Sequence, residues 1–254
     1  MEPIYREQFT ITDQDADRFG RAKSAALLWY AQQVAGEHCR TLDLDWQTLQ
    51  SRRMFWAVIR QRVQVSRIPT LGQTITVETW PMPTTRVAYP RSTVAYDGQG
   101  RELFRSIGLW VLMDLDKRAM ILPPKSGIIV RGTVRGTELP APGALMLRGL
   151  QNTAQRTVRF SELDRNGHMN NTRYMDWVDD LLGSDFHRDN VLREFTVCYL
   201  SEAREGETLR VDYSLDGSGL MQVEAHRDAA PGEKSVVFSA QALYGPAGEE
   251  EYAL

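Results

Sequence analysis

The chain has 254 residues and is 42% hydrophobic, enough for a substantial core in one large or two modest domains, and its formal net charge of -3 gives no global case for nucleic acid as a partner. Two cysteines without paired spacing, Cys39 and Cys198, and four histidines in no ligand-spaced cluster argue against a disulfide scaffold or a metal site and fit a reducing cytoplasm. No apolar run approaches the length of a membrane span, and the opening Met-Glu-Pro-Ile-Tyr lacks the basic-then-apolar order of a secretory signal.

In chain order, Asp17-Arg18-Phe19-Gly20 runs into Leu27, Leu28, Ala31, Val34 and Ala35, whose spacing predicts one buried face of an amphipathic helix. Residues 39–53, with Trp46 and Leu49, form a separate piece. The alternation Val63/Val65 followed by Gly72 to Val77 predicts a hairpin, and the turn Asp97-Gly98-Gln99-Gly100 leads to a strand from Phe104 to Trp110. Pro123-Pro124 and the glycines and prolines between 127 and 143 read as linker. The same series then recurs. Asp164-Arg165-Asn166-Gly167 matches the first turn, Tyr174, Met175, Val178, Leu181 and Leu182 repeat the helical spacing, and Val197/Tyr199 with Gly206 to Val211 repeats the hairpin. Pro231-Gly232-Glu233-Lys234 and Phe238 to Tyr244 repeat the last turn and strand. Two copies of one helix-plus-hairpins unit follow, each an antiparallel sheet wrapped around a central helix in an α+β arrangement. The piece at 39–53 belongs to the first copy alone.

The second turn carries the chemistry. Asp164, Asn166 and His168 stand at i, i+2 and i+4 just before a helix start, and an extended run-up would point all three to one side. A carboxylate, an amide and an imidazole beside the N–H donors of a helix start make a hydrolytic constellation. An Asx-turn leading to an N-cap explains Asp164 and Asn166 equally well, and Asn170 and Asn171 serve as caps or as oxyanion donors. There is no glycine-rich phosphate loop, dinucleotide fingerprint or G-x-S-x-G elbow, which weighs against nucleotide cofactors and a serine mechanism.

Three stretches resemble the acyl-acyl carrier protein thioesterases, a family with two hotdog domains in one chain. They are Phe55-Trp56-Ala57-Val58-Ile59-Arg60 running into Arg67-Ile68-Pro69-Thr70-Leu71-Gly72; Trp110 to Asp114 with Lys117-Arg118; and Asp164-x-Asn166-x-His168-Met169-Asn170-Asn171-x-x-Tyr174-x-x-Trp177. The resemblance implies a tandem hotdog: an N-terminal domain over 1–125 housing the acyl pocket, a linker over 126–152, and a catalytic C-terminal domain over 153–254. It implies hydrolysis of fatty acyl-acyl carrier protein thioesters without cofactor or metal, by Asp164, Asn166, His168 and a strand-borne Glu202. Asp164 is expected as the attacking or activating carboxylate and Glu202 as the group that handles water, with the reverse nearly equivalent. Trp56, Val58 and Tyr174 are expected in the acyl pocket. The first copy keeps Asp17 but has Phe19, Arg21 and Ile68 at the matching places, so one active site per chain is expected. Ala203 stands where many plant members carry a cysteine, and Cys198 is expected to pack as a small apolar residue.

The acidic carrier calls for a basic surface. Arg60 and Arg62 share a strand face and are the expected pair, with Lys117 and Arg118 next. Rival readings are an acyl-coenzyme A thioesterase, a hotdog dehydratase using Glu37, and a non-catalytic acyl-thioester-binding protein. Whether two chains pair as a homodimer is left open.

Overall fold

The stripe of Leu27, Leu28, Ala31, Val34 and Ala35 is fully buried on α1 (Ser24–Thr41), which lies across a curved antiparallel sheet. The structure is a computed structural model and describes residues 3–136, 138–228 and 235–248, without the side chain of Ser235. Burying each Leu or Val of this stripe contributes about 1.5–3 kcal/mol, so the helix is held by its packed face. Before it runs β1 (Tyr5–Thr10); after it come α2 (Trp46–Ser51), β2 (Met54–Val65), β3 (Thr74–Pro81), β4 (Tyr89–Tyr96), β5 (Glu102–Asp114) and β6 (Met120–Ile121). The piece peculiar to the first copy is thus a short helix, started by Asp45, whose side chain accepts from the Thr48 N–H at 2.7 Å.

The second copy supplies β7 (Asn152–Thr157), α4 (Arg173–Asp180), α5 (Gly183–Asp189), β8 (Asn190–Tyr199), β9 (Thr208–Leu215), β10 (Leu220–Arg227) and β11 (Ser235–Pro246). Where one long helix was expected there are two short ones, because Gly183 takes φ +75° and ends the first. Tyr174, Met175 and Val178 remain buried as the spacing predicts. The turn expected at 231–234 lies outside the described residues.

All strands join one sheet in the order β1-β3-β4-β5-β2-β8-β11-β10-β9-β7, with β6 added on β5. Under the sequence repeat this order is its own reverse. The halves meet where β2 pairs antiparallel with β8, and Arg62 stands opposite Thr196, its own counterpart in the repeat. A local two-fold axis passes through that pair, so each copy's turn is brought to the helix of the other. A single apolar core spans both copies, from Leu27, Leu28 and Val34 to Met175, Trp177 and Phe238.

Between the copies, α3 (Pro123–Ser126) leads into an irregular strap laid on the first copy. Trp80 Nε1 donates to Glu138 at 3.1 Å, Arg135 pairs with Glu78 at 2.6 Å, and the Thr133 N–H donates to the Pro81 carbonyl at 2.8 Å. Gly132 passes so close to Met82-Pro83 that an added Cβ would stand 2.2 Å from the Pro83 nitrogen. The segment is linker in composition and packed strap in structure.

Candidate active site

Residues 163–169 are a tight turn, where the sequence spacing suggested an extended run. The Asp164 N–H donates to the His168 carbonyl at 2.8 Å and the Gly167 N–H to the Asp164 carbonyl at 3.0 Å, with Gly167 at φ +77°. Asp164 Oδ1 accepts from the backbone N–H groups of Asn166 (2.8 Å) and His168 (3.2 Å), and its Oδ2 accepts from Asn166 Nδ2 at 3.2 Å. The Asx-turn is therefore real, and it is also what gathers the amide and the imidazole. The loop is pinned by Trp177 Nε1 donating to Glu162 at 2.7 Å and by the Met169 N–H donating to the Ala203 carbonyl at 2.9 Å.

That second bond brings the segment after β8 alongside the turn, with His168 bridging Arg204. Glu202 lies on this segment, past the end of the strand on which it was expected, and its Oε2 stands 3.2 Å from His168 Nε2. Arg227 of β10 holds its backbone, donating to the Glu202 carbonyl at 2.7 Å. Two residues of the first copy complete the set. Arg118, in the turn between β5 and β6, donates to Glu202 Oε1 and places Nη2 3.2 Å from His168 Nε2. Trp46, at the start of α2, donates its indole N–H to Asn166 Oδ1 at 3.3 Å.

One cavity of about 980 Å³ is lined by Asp164, Asn166, His168 and Glu202 together with Trp56, Val58 and Tyr174, the three expected pocket residues. Trp56 donates to the Leu44 carbonyl at 3.0 Å and meets Tyr89 edge-on. Burial pushes the Tyr174 and Tyr199 phenols up, so both stay neutral, and Tyr199 donates to the Asn171 carbonyl at 2.9 Å. The asparagines before α4 divide. Asn170 acts as a cap: its side-chain oxygen accepts from the Thr172 N–H at 3.0 Å, and its backbone N–H donates to the Glu162 carbonyl at 2.8 Å. Asn171 Nδ2 is buried and has no partner among the described residues, and Asn171 lines the cavity. It is an unpartnered donor in the residue set that lines this cavity.

The symmetry-related cavity, about 810 Å³, is built around the turn of the first copy. Asp17 Oδ1 accepts from the N–H groups of Phe19 (2.8 Å) and Arg21 (3.0 Å), repeating the Asp164 turn. In the place of His168, however, buried Arg21 donates to the backbone carbonyl of His187 and rests on the Phe19 ring, and buried Ile68 replaces Glu202. Asp179 accepts from Tyr244 Oη at 2.6 Å there, and desolvation pushes its carboxyl above the ordinary carboxylate range. This cavity has no counterpart of Asn166, His168 or Glu202, although His187 and Asp179 line it.

The four residues expected to meet the carrier have different surroundings. Arg62 is paired with Glu194 at 2.8 Å, and Arg60 Nη1 lies 3.4 Å from the Pro142 carbonyl of the strap, because β2 is a central strand at the junction of the copies. Arg118 is turned into the cavity, so of the four expected carrier-binding residues Lys117 alone is exposed. Cys198 is buried, with its Sγ 3.7 Å from the Gly143 carbonyl, and does not line the cavity. Sequence reading missed Trp46, Arg227 and the inward role of Arg118; the Lys117-Arg118 motif was the one signal for the last. Among the described residues no helix is long and apolar enough to cross a membrane.

The sequence and the fold match known proteins. Residues 2–123 fit the acyl-ACP thioesterase N-terminal domain and residues 149–239 the acyl-ACP thioesterase C-terminal domain. A chloroplastic palmitoyl-acyl carrier protein thioesterase of Gossypium hirsutum is 25% identical over 69% of this chain and 46% of its own length. A chloroplastic dodecanoyl-[acyl-carrier-protein] hydrolase of Cinnamomum camphora is 24% identical over 84% of this chain and 60% of its own. The chain thus spans about half to three-fifths of these curated relatives. An acyl-ACP thioesterase from Bacteroides thetaiotaomicron superposes with a TM-score of 0.85 at 21% identity, over 96% of this chain and 98% of that one. The 12:0-ACP thioesterase of Umbellularia californica gives 0.80 at 22%, over 97% and 99%. Those two likenesses establish the tandem hotdog fold, and with both domain matches in order the chain belongs to the acyl-ACP thioesterase family.

Proposed function

We propose that the chain hydrolyses fatty acyl-acyl carrier protein thioesters, releasing a free fatty acid and the carrier thiol and so ending acyl chain elongation. The observation that carries this reading is the cavity of about 980 Å³ in which a carboxylate–imidazole pair and two amides share walls with apolar side chains. Family membership supports a thioester as the reacting group.

In the proposed mechanism the Asn171 amide donates to the carbonyl oxygen as negative charge develops there. Glu202 acts on the water. Its partners are two side chains, whereas the Asp164 oxygens are turned to three N–H groups of their own loop. Glu202 takes a proton as the water oxygen bonds to the carbonyl carbon; the C–S bond then breaks, and His168 passes the proton to the departing sulfur. The water hydroxyl ends on the acyl carbon and its proton on the thiol. Asp164 holds Asn166 and His168 in register.

The test is to offer purified protein a ladder of acyl carrier and acyl-coenzyme A species and measure released thiol. Faster release from the carrier species is expected. Release from coenzyme A species alone would move the reading to an acyl-coenzyme A thioesterase, and no release from any would overturn it. Cys198→Ala is expected to stay active; a folded but dead variant would restore a thiolate mechanism.

A further inference from the structure

We infer that the first copy, which lacks a catalytic set of its own, positions the catalytic set of the second: Arg118 fixes Glu202 against His168, and Trp46 fixes the Asn166 amide toward Asp164. Both act through other side chains and are positioning residues. The kinetic test rests on the thioesterase reading above.

The hydrogen-bond inventory decides the Trp46 contact. An indole N–H can only donate, so Asn166 must present Oδ1 to it and is left with Nδ2 facing Asp164 Oδ2 at 3.2 Å. A flipped amide would set donor against donor on one side and oxygen against carboxylate on the other. Arg165, stacked 5.2 Å over the Trp46 ring, closes the same contact from the second copy.

Arg118 is held as firmly. Its guanidinium lies 4.8 Å from the centroid of the buried Phe55 ring and reaches both Glu202 and the imidazole. Without it, Glu202 keeps His168 as its one side-chain partner among the described residues and can rotate toward solvent, its side chain being 38% exposed. Lysine has no plane to rest on the ring.

Backbone conformation points to the same two segments. Among the described residues the non-glycines at positive φ are Asp43 (55°), Arg53 (55°) and Arg118 (52°). Asp43 precedes α2 and Arg53 follows it, so two of the three bracket the helix that carries Trp46, and the third is Arg118 itself. The segments also lock together, through the Leu115 N–H on the Arg53 carbonyl at 2.9 Å and an Arg53–Asp116 ion pair. Strained backbone persists where surrounding contacts over-determine it, and it concentrates at functional sites. Residues 39–53 have no counterpart in the second copy, and through Trp46 this insertion reaches the turn of the other copy that carries Asn166.

Double-mutant cycles on any thioester that is turned over test this. Arg118→Met is expected to lower kcat about 10- to 100-fold with little change in KM, the rate equivalent of one charge-assisted hydrogen bond. In a Glu202→Gln background the same change should cost less than about threefold. Trp46→Phe should lower kcat about three- to tenfold, with little further loss in Asn166→Ala. A second arm needs no activity: the His168 ring resonances, assigned by their loss in His168→Ala, should move in Arg118→Met while those of His187 in the other cavity stay. Equal losses in both backgrounds, or unmoved His168 resonances, would overturn the inference. If wild-type protein turns over no thioester, the functional reading fails, and the resonances still decide the contact.

Discussion

The Asp17 and Asp164 turns are the same object built twice. In each, the carboxylate accepts from the N–H groups two and four residues on, and a glycine three residues on takes positive φ. The aspartate is common to both turns, so it is a feature of the fold. The proposed mechanism draws on what differs: Asn166 against Phe19, His168 against Arg21, Glu202 against Ile68. Arg21 is buried and committed to backbone carbonyls, which makes the first turn a staple for α5 and the start of β8.

The comparison breaks most readily at position 168. His168→Ala is expected to lower kcat at least about a hundredfold with an unchanged unfolding midpoint, the low end for a positioned acid–base group. Near-normal turnover in the folded variant would remove the distinction between the turns. The matching change in the first copy, Arg21→Met, should do the opposite. It removes donors to the carbonyls of His187 and Asn190, at a cost of about 1–3 kcal/mol in urea unfolding, and leaves turnover per folded molecule unchanged. Loss of turnover without loss of stability would place chemistry in the first cavity.

Much of this was legible from residue order. The repeat itself was readable from matched hydrophobic positions and turn glycines, and Asp164, Asn166 and His168 stood out because they lie within one turn. The hairpin expected between the Val63/Val65 strand and Gly72 to Val77 is not formed, since β2 pairs with β5 and β8 and β3 with β1 and β4, and the same holds for β8 and β9. The rest was not local. Trp46 and Arg118 reach the site only because β2 and β8 pair antiparallel across the two-fold axis, a contact that no periodicity in either copy encodes. The same pairing sets Arg62 beside Glu194 at the junction of the copies, a partner that strand alternation alone could not reveal. The break at Gly183 was visible as a glycine, yet the apolar spacing carries through Leu182 and hid it.

The first cavity offers a finer test through its buried carboxyl. Asp179 has its pKa raised by desolvation, so the folded state binds more protons than the unfolded between the ordinary value and the raised one. Its contribution to stability therefore falls as pH rises through that window. Tyr244 opposes the shift by donating to the ionised form. Tyr244→Phe should cost about 1.5–3 kcal/mol near neutral pH, and less once the solution is acid enough to keep Asp179 neutral, as read from thermal unfolding across pH. A cost independent of pH would mean that the tyrosine acts by packing alone. The smallest effect is expected on the axis itself. Arg62 and Glu194 are both partly exposed, so Arg62→Ala should change stability by less than about 1 kcal/mol and leave KM for an acyl carrier substrate unaltered. A raised KM at low salt would return this arginine to a carrier surface.

The central claim is that the chemistry of the site belongs to Glu202 and His168, with both turn aspartates serving the fold. Asparagine in place of either aspartate still presents an oxygen to the backbone donors of its turn, so the most direct measurement is kcat for Glu202→Gln, Asp164→Asn and Asp17→Asn on one acyl carrier substrate, at matched folded concentration. We expect Glu202→Gln to fall at least about a hundredfold, Asp164→Asn about tenfold as the Asn166 amide loses its carboxylate partner, and Asp17→Asn to match wild type. A dead Asp164→Asn beside an active Glu202→Gln would contradict the account and make Asp164 the reacting carboxylate.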